Sequence, residues 1–400
     1  MKQRPKLPPP PAFHSELATI GVTGTNGKTT TTTFAAAALG CFGAPVPRVT
    51  TVGFFVGEEK LELPGSYEAF VKTLRKGHER GARHAAIELS SEALALGFFH
   101  AWPCKVGVFT NLTHDHLDRH RTPEHYLASK AQLFVHLSPG GTAVLNACDP
   151  ASALLAEVIP KGVRVVHYGV QSRGEPFAPL ALEARRIDVS WDGTVAELVP
   201  SDVVGVAGAR LKLRALGEVY VENALAALGA VLALGAPLDA ALRALADAAP
   251  PPGRFELVRE APYVVVDYAH TPDALRRTLE QARRLTRGRL CVVFGAGGER
   301  DRDKRPEMGR AAALADRVLL TSDNPRSEDP AAIAREIQVG LAEHPAVEVV
   351  LDRALAIARA VREAAPDDLV LLAGKGHELE QHAGDAKRPF SDAEIARRSR

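Results

Sequence analysis

Short apolar runs of strand length alternate with segments of helical periodicity along the first part of this chain. The runs are Ala18–Val22, Ala85–Glu88, Val106–Thr110, Ala143–Asn146 and Val163–Tyr168. Several of them end in polar residues, which is typical of strands whose carboxyl ends face a site. The alternation therefore predicts an α/β domain built on a parallel sheet.

The pattern changes after residue 175 and restarts after residue 250. Short alternating runs over 175–215 predict an antiparallel β insertion, and Val221–Leu234 and Leu238–Ala248 predict two helices. The run Pro250-Pro251-Pro252-Gly253 marks a boundary, beyond which strand-like runs return at Tyr263–Asp267, Leu290–Phe294, Val318–Thr321, Val347–Leu351 and Leu369–Leu372. We therefore predict a Pro-rich tail over 1–17, a central parallel-sheet domain over 18–249 and a C-terminal, Rossmann-like α/β domain over 250–400.

Composition narrows the class of protein. The chain has 400 residues, 46% of them hydrophobic, which suits two or three packed domains. Its net charge of +1 gives no general electrostatic case for binding nucleic acid or an anionic membrane. Because the four cysteines lie far apart and no apolar stretch could span a bilayer, we expect a cytoplasmic protein without membrane insertion.

The turn after the first apolar run is the most informative segment. Residues 21–30 read Gly-Val-Thr-Gly-Thr-Asn-Gly-Lys-Thr-Thr. Gly24 and Gly27 let the backbone approach an anion, and the start of the following helix supplies positive potential. Lys28 can reach a β- or γ-phosphate, and the Thr29 hydroxyl can bind Mg²⁺. Although Val22 replaces the first glycine of the strict motif, the segment predicts a nucleotide phosphate loop rather than an ordinary turn.

Three further features lie in the same half of the chain. Glu88 ends an apolar run, where a carboxylate can serve a magnesium ion or simply close a strand. Residues 110–118, Thr-Asn-Leu-Thr-His-Asp-His-Leu-Asp, offer metal ligands or a base, although a solvated loop would look the same. Lys130 shares a helix face with apolar residues, and composition alone indicates a surface lysine whose stem covers them.

Polar clusters also follow four apolar runs in the last third. They occupy residues 267–273, 295–305, 323–326 and 374–378. The glycine-rich segment 295–305 is either an anion loop or a flexible, charged turn, and Arg326 can grip a carboxylate through two hydrogen bonds. Because parallel strands end at one edge of a sheet, the four clusters predict one rim that faces a cleft.

Together these motifs resemble those of the Mur ligases, and within that family the UDP-N-acetylmuramoyl-tripeptide synthetases. They occur in family order from Ile20 to Gln381: Gly-Thr-Asn-Gly-Lys-Thr-Thr, Glu-Leu-Ser-Ser, Thr-Asn-Leu-Thr-His-Asp-His-Leu-Asp, Asp-Tyr-Ala-His-Thr-Pro-Asp, Asp-Asn-Pro-Arg and Gly-Lys-Gly-His-Glu. The resemblance implies an ATP-dependent ligase of peptidoglycan synthesis. ATP would convert a carboxylate to an acyl phosphate, and a diamino acid would then attack the acyl carbon.

The resemblance also implies roles for individual residues. ATP would be bound by Gly24, Thr25, Asn26, Gly27, Lys28, Thr29, Thr30, Asn223, Arg254 and Asp267, with Asn223 near the adenine, Arg254 at the γ-phosphate and Asp267 near the ribose. Of two Mg²⁺ ions, Thr29 and Glu88 would hold the first, and His116 and Lys130 the second, with Lys130 carboxylated by CO₂. The catalytic residues would be Lys28, His116, Lys130, Arg254 and His270. The amino-acid substrate would contact Arg300, Asp323, Asn324, Pro325, Arg326, Gly374 and Glu378.

The chain departs from the family pattern where the carboxylate acceptor should bind. The family has a first domain of about a hundred residues that binds the uridine nucleotide, and we expect that domain to be missing here. Interior positions also differ: Leu63-Pro64-Gly65-Ser66 replaces a Thr-Thr-Pro loop, Glu92 a histidine, Leu96 a glutamine, Phe98 an arginine and Tyr220 an asparagine.

Three interpretations therefore stay open. The protein is a tripeptide synthetase, or a related amide ligase acting on another carboxylate such as a γ-glutamyl peptide or a folate-like chain, or a non-catalytic nucleotide-binding partner. The joint retention of Lys28, Glu88, His116 and Lys130 argues against the third.

Overall fold

The computed structural model describes residues 7–113, 122–206 and 208–399, which form two compact units. The division falls between Pro251 and Pro252, inside the proline-rich run. Within the described residues, no helix combines the length and apolar character that crossing a bilayer requires. The predicted metal ligand His116 lies outside the described residues.

The first unit is built on an eleven-stranded sheet, as far as the described residues show. Its strands are β1 Ala18–Thr23, β2 Pro47–Thr50, β3 Gly53–Val56, β4 Glu59–Leu61, β5 His84–Glu88, β6 Val106–Phe109, β7 Thr142–Asn146, β8 Arg164–Gly169, β9 Leu182–Ser190, β10 Gly193–Leu198 and β11 Ala209–Leu213. They lie in the order β11-β10-β9-β8-β7-β6-β1-β5-β2-β3-β4. Strands β2, β5, β1, β6, β7 and β8 pair in parallel, whereas β3–β4 and β9–β11 add antiparallel pairs at the two edges.

Helices cover this sheet and position the loops at its carboxyl edge. They are α1 Lys28–Leu39, α2 Tyr67–Glu79, α3 Ser91–Ala95, α4 Phe98–Ala101, α5 Pro123–Val135, α6 Ala151–Glu157, α7 Glu218–Ala233 and α8 Leu238–Asp247. Helix α1 packs closely against α7 and is buried on nearly every side, because its threonines and alanines are small. Helix α5 starts at the cap Thr122, whose hydroxyl accepts from the amide of His125, with Pro123 in the first turn.

The last residues assigned to the tail by sequence pack on the first unit instead of extending from it. Residues 12–16 form a short 3₁₀ helix, and Leu17 is buried. The ring of His14 meets Trp102 edge-on at 4.7 Å, and Phe13 contacts the same indole at 5.8 Å. Burial of Leu17 and the aromatic contacts of Phe13 and His14 anchor this segment. The sequence did not indicate this packing, because the neighbouring prolines are typical of an extended tail.

The second unit has a smaller sheet with the order β12-β13-β17-β14-β15-β16. Its strands are β12 Glu256–Glu260, β13 Tyr263–Asp267, β14 Leu290–Phe294, β15 Arg317–Leu320, β16 Val347–Val349 and β17 Leu369–Ala373, followed by the hairpin β18 Glu380–Ala383 and β19 Ala386–Pro389. Its helices are α9 Pro272–Leu285, α10 Lys304–Ala312, α11 Pro330–Gln338, α12 Arg353–Glu363 and α13 Asp392–Arg398. All sheet pairings except β12–β13 are parallel, so the ends of β13, β17, β14 and β15 share one edge.

Candidate active site

The predicted phosphate loop joins β1 to α1, and the space around it requires its two glycines. Gly27 has φ 82°, and a Cβ there would lie 2.3 Å from Oδ1 of Asn223. Gly24 has φ 148°, and its Cβ would lie 1.9 Å from Oγ1 of Thr110. Neither position could accept a side chain without displacing its neighbour. The amides of the first turn of α1 follow directly and form an anion-binding helix start.

The segment after β6 holds the loop in shape. The Asn26 amide donates to Oδ1 of Asn111 at 2.9 Å, and the Thr110 hydroxyl donates to the Asn26 carbonyl at 2.7 Å. The Thr25 amide donates to the Asn111 carbonyl at 2.8 Å, and the Lys28 ammonium donates to the Thr25 carbonyl at the same distance. The backbone that would surround a phosphate is therefore preorganised by hydrogen bonds within the unit.

Thr29 and Glu88 place two oxygen atoms that could act as metal ligands at the start of α1. The Thr29 hydroxyl donates to Oε2 of Glu88 at 2.8 Å, and the Thr51 amide donates to the same oxygen at 3.1 Å. Carboxylate and hydroxyl oxygens beside a phosphate loop are the ligands that Mg²⁺ prefers. The residues at this position therefore fit a magnesium ion. Thr51, which sequence reasoning missed, lies at the same place because β2 ends beside β5.

Lys130 is buried, so its composition-based interpretation as a surface lysine is wrong. Its side chain is 1% exposed, and its ammonium donates to the Gly24 carbonyl at 2.7 Å. It also lies 4.2 Å from the ring centroid of Tyr126, whose hydroxyl is 3.2 Å from Oγ1 of Thr25. Helix α5 thus inserts a cation directly under the phosphate loop, where the loop carbonyl and an aromatic face compensate its desolvation.

The other predicted nucleotide residues of this unit also lie at the loop. Thr30 is buried in the first turn of α1, and Asn223 reaches the loop from α7. Oδ1 of Asn223 accepts from the Thr31 hydroxyl at 3.4 Å. On the same helix, Oε1 of the buried Glu222 accepts from the side-chain amide nitrogen of Asn146 at 3.0 Å, a contact that no sequence pattern indicated.

In the second unit, the four polar clusters meet around one pocket of about 150 Å³. Its lining is Tyr268, His270, Gly295, Ala296, Gly297, Arg300, Asp301, Lys304, Asp323, Asn324, Arg326, Gly374 and Glu378. The structure thus brings together the predicted amino-acid residues except Pro325, which is outside the lining and whose carbonyl packs against Gly298. Arginine and lysine side chains stand with aspartate and glutamate in one small space, which suits a zwitterion.

Arg326 adopts a left-handed backbone conformation, which residues other than glycine rarely take. Its φ is 52°, and the amide and carbonyl of the residue are fixed by bonds to His382 and Gly384 of the β18–β19 hairpin at 3.2 and 2.7 Å. Its guanidinium donates to the Gly298 carbonyl at 2.6 Å. The surrounding contacts over-determine a strained residue at a pocket, which is typical of binding sites.

Asp323 and Glu378, two of the carboxylates that line the pocket, differ electrostatically. Burial raises the pKa of Asp323, although Arg353 and Lys375 oppose that effect. Burial works to raise the pKa of Glu378 as well, but the Lys375 ammonium, the hydrogen bond from Asn324 and the charge of His377 together outweigh burial, so the pKa of Glu378 is lowered. Glu378 is therefore held in its ionised form by a neighbouring cation.

Asp267 organises the segment that carries Arg254 and His270. Its carboxylate accepts from the amides of Phe255 and Ala269 at 2.7 and 2.8 Å, and burial raises its pKa against the effect of Arg254. The Arg254 guanidinium lies 4.3 Å above the Tyr268 ring, and Nδ1 of His270 is 2.9 Å from the Tyr268 carbonyl. These contacts fix the shape of the segment, and the nucleotide role of Asp267 stays a prediction.

Comparisons with known proteins agree with this geometry. A family model described as the Mur ligase middle domain matches residues 22–231, and one described as the Mur ligase, glutamate ligase domain matches residues 253–376. The chain belongs to the Mur ligase family. The predictions of the family, the α/β fold and the class of ATP-dependent ligase are thereby confirmed.

Individual relatives of this Mur ligase carry one name. The UDP-N-acetylmuramoyl-L-alanyl-D-glutamate--2,6-diaminopimelate ligase of Bacillus velezensis is 39% identical, over 96% of this chain and 78% of the relative. The ligase of the same name from Thermosynechococcus vestitus is 42% identical, over 95% of this chain and 76% of the relative. A solved structure of a ligase with the same name is 32% identical and has a TM-score of 0.65. The match covers 96% of this chain and 78% of the chain in that structure. Mur ligases use ATP and Mg²⁺.

Proposed function

We propose that this Mur ligase joins a diamino acid, diaminopimelate in the first instance, to a muramyl dipeptide in peptidoglycan synthesis. The names of its relatives support the two substrates. The observation that carries the proposal is the pairing of the Thr29–Glu88 donor set at a phosphate loop with a mixed-charge pocket. The first suits a nucleoside triphosphate, and the second suits an amino acid with more than one charged group.

The reaction would proceed through an activated carboxylate. The acceptor carboxylate attacks the γ-phosphorus of ATP, which releases ADP and gives an acyl phosphate. The uncharged amine of the amino acid then attacks the acyl carbon, and inorganic phosphate leaves with the proton that the nitrogen loses as the C–N bond forms. Lys28 and the amides of the first turn of α1 would bind the phosphoryl oxygens and stabilise their developing charge.

Magnesium would neutralise phosphate charge, and Thr29 and Glu88 would hold the first ion. A second ion would be held by His116 together with Lys130 as its carbamate. The buried position of Lys130 under Gly24 supports this role, since carboxylation would turn a cation at the loop into an anionic oxygen ligand. Arg254 would bind the γ-phosphate, Asn223 the adenine and His270 the reacting groups.

In the second unit, Arg300 and Arg326 would bind carboxylates of the diamino acid. Asp323 and Glu378 would bind its ammonium groups, with Asn324 and Gly374 shaping the wall between them. A pocket lined by both signs of charge would favour such a substrate over an amino acid with an apolar side chain.

A second candidate is amide formation on a different carboxylate acceptor. It is favoured by Leu96, which is 49% exposed at a position where the family resemblance implies a polar substrate contact. The phosphate loop and the amino-acid pocket would serve this reaction unchanged.

Mass spectrometry of the product separates the candidates. The protein is incubated with ATP, Mg²⁺ and diaminopimelate in three separate reactions. Each reaction contains one acceptor: UDP-muramyl dipeptide, a muramyl dipeptide without UDP, or a γ-glutamyl peptide. We expect ADP, phosphate and an amide of the muramyl dipeptide. An amide formed only with another acceptor would favour the second candidate, and ATP hydrolysis without any amide would contradict both.

A further inference from the structure

Lys375 is a buried lysine beside the amino-acid pocket. Its side chain is 0% exposed, and its ammonium donates to Oδ1 of Asn324 at 3.1 Å, Oε2 of Glu378 at 2.9 Å and the carbonyl of Glu380 at 2.8 Å. An ammonium group has three hydrogens, so these bonds use its whole donor capacity. Lys375 therefore influences a ligand of the pocket through its neighbours rather than by touching it.

Two protein donors hold the same oxygen of Glu378. Oε2 accepts from Lys375 and from the amide nitrogen of Asn324, the latter at 2.8 Å. Oε1 accepts no hydrogen bond from the described residues, and Glu378 lines the pocket. The carboxylate is thus fixed through one oxygen, and the other is available to a ligand.

Asn324 is fixed as well. Its Oδ1 accepts from Lys375 and from the amide of His382 at 3.0 Å, which leaves the amide nitrogen to donate to Glu378. Lys375, Asn324 and Glu378 form a closed triangle of hydrogen bonds. Removing Lys375 would take one hydrogen bond from each of the two pocket side chains and would leave the Asn324 donor as the protein hydrogen bond to Glu378 among the described residues.

The triangle also sets the charge of the pocket. Asp323 and Glu378 line the same small pocket, and the negative charge of each favours uptake of a proton by the other. The charged or titratable groups around Glu378 are Lys375 and His377 on its own segment, Glu380 on the hairpin, Asp323 after β15, Arg353 on α12, Asp392 on α13 and Tyr268, His270, Arg300, Asp301, Lys304 and Arg326 in the pocket lining. Arg353 is bound by Asp392 through two hydrogen bonds, and among the described residues Lys375 is the cation with a hydrogen bond to Glu378.

We propose that Lys375 is a positioning residue for the amino-acid substrate: it presents one oxygen of Glu378 to a substrate ammonium and keeps that carboxylate ionised while the pocket is empty. The inference rests on the proposed function, because it takes the amine donor as the ligand of this pocket. It predicts that substrate affinity is independent of pH near neutrality in the native protein and becomes dependent on pH without Lys375.

The test uses the substitution Lys375→Met, which keeps the length of the side chain and removes the charge. KM for diaminopimelate and for ATP, and kcat, are measured from about pH 6 to about pH 8, with amide formation as the readout. In the variant a bound proton must leave before the ammonium binds, so KM for diaminopimelate should rise by up to about tenfold per pH unit as pH falls. KM for ATP should change by less than about twofold at every pH, since the phosphate loop lies in the other unit.

Three matched proteins complete the design. Lys387→Met removes a lysine that lies 3.9 Å from Glu380 and is mostly exposed, and it should behave like the native protein. Glu378→Gln has no titratable group at this position, so its KM should be raised but independent of pH. Adding Lys375→Met to Glu378→Gln should then introduce no dependence on pH.

Each outcome decides the inference. A folded Lys375→Met variant with a flat KM profile, or a pH dependence that persists in the double variant, would overturn it. If Lys375→Met does not fold, the native profile decides: a titration of KM in this range that disappears in Glu378→Gln would show that Glu378 is not kept ionised. Failure of the native protein to form an amide would contradict the proposed function instead, so the two failures are distinguishable.

Discussion

The Thr29 hydroxyl donates a 2.8 Å hydrogen bond to Oε2 of Glu88. The two residues come from the first turn of α1 and the last position of β5, which lies next to β1 in the sheet. The parallel pairing of β1 and β5 therefore delivers a carboxylate to the phosphate loop. Two oxygen donors in contact at a helix start form the candidate magnesium position.

Replacing Glu88 with glutamine should lower turnover by at least about 100-fold, because the amide removes the negative charge that would hold Mg²⁺. The amide keeps the size of the side chain, so the unfolding temperature should change little. Phosphate release is measured against Mg²⁺ concentration, with Glu62→Gln as the control on an exposed glutamate. Equal Mg²⁺ dependence in the native and Glu88→Gln proteins would remove Glu88 from the site.

Gly27→Ala should raise KM for ATP by at least about tenfold and lower stability by about 1–2 kcal/mol, since the new Cβ meets Asn223 in a left-handed conformation. Gly40→Ala is the matched control at the other end of α1. A Cβ at Gly40 has no neighbour within 4 Å, and its φ is −57°. That change should leave KM unaltered and should not destabilise the protein. Identical effects of the two substitutions would contradict the loop assignment.

Lys130→Ala should nearly abolish turnover, and added bicarbonate should not restore it, because the proposed carbamate needs the lysine nitrogen. The exposed Lys105→Ala variant should keep native rates. Circular dichroism establishes that both variants fold, since truncation of a buried lysine also creates a cavity. Native-like rates in folded Lys130→Ala would exclude Lys130 from the reaction.

Glu328→Gln should destabilise the second unit in a manner that depends on pH. Two hydrogen bonds from the buried Arg305 guanidinium lower the pKa of Glu328 to about 2. Because the folded-state pKa lies below the ordinary value, the stabilisation is complete above the ordinary value and is lost as pH falls towards 2. We expect the free energy of unfolding of the Glu328→Gln variant to be about 2 kcal/mol lower than that of the native protein at neutral pH.

Urea unfolding of the native and Glu328→Gln proteins at pH 7, 4 and 3 measures this difference. The gap between the two proteins should shrink as the pH is lowered. A gap that is constant over this range would show that packing, rather than charge, accounts for the loss. Glu343→Gln, an exposed glutamate of the same unit, is the control.

Much of the architecture was readable in the chain because its signals are local. Strand runs such as Tyr263–Asp267 and Leu290–Phe294 agree with the observed strands, since short, valine-rich apolar runs are typical of strands buried on both faces of a parallel sheet. The edge strands β2–β4 were not predicted. They are short and half-exposed, so their apolar pattern is weak.

The sequence signal of the predicted phosphate loop was also local, because its glycines, lysine and threonine lie within residues 24–29. Lys130 and Lys375 show the limit of that reasoning. The chemistry of each depends on an oxygen far away in the sequence, the Gly24 carbonyl for Lys130 and the side-chain amide of Asn324 for Lys375.

The order of the amino acids by itself determined the α/β alternation, the anion-binding turn and the presence of polar residues at strand ends, since each depends on neighbours along the chain. Only the tertiary structure decided that Thr51 and Thr29 share one oxygen of Glu88, that Arg326 is held at φ 52° and that Lys375 is enclosed by three acceptors. The Thr29–Glu88, Thr51–Glu88 and Lys375–Asn324 contacts join segments distant in sequence, and parallel strand pairing brings those segments to one edge of each sheet.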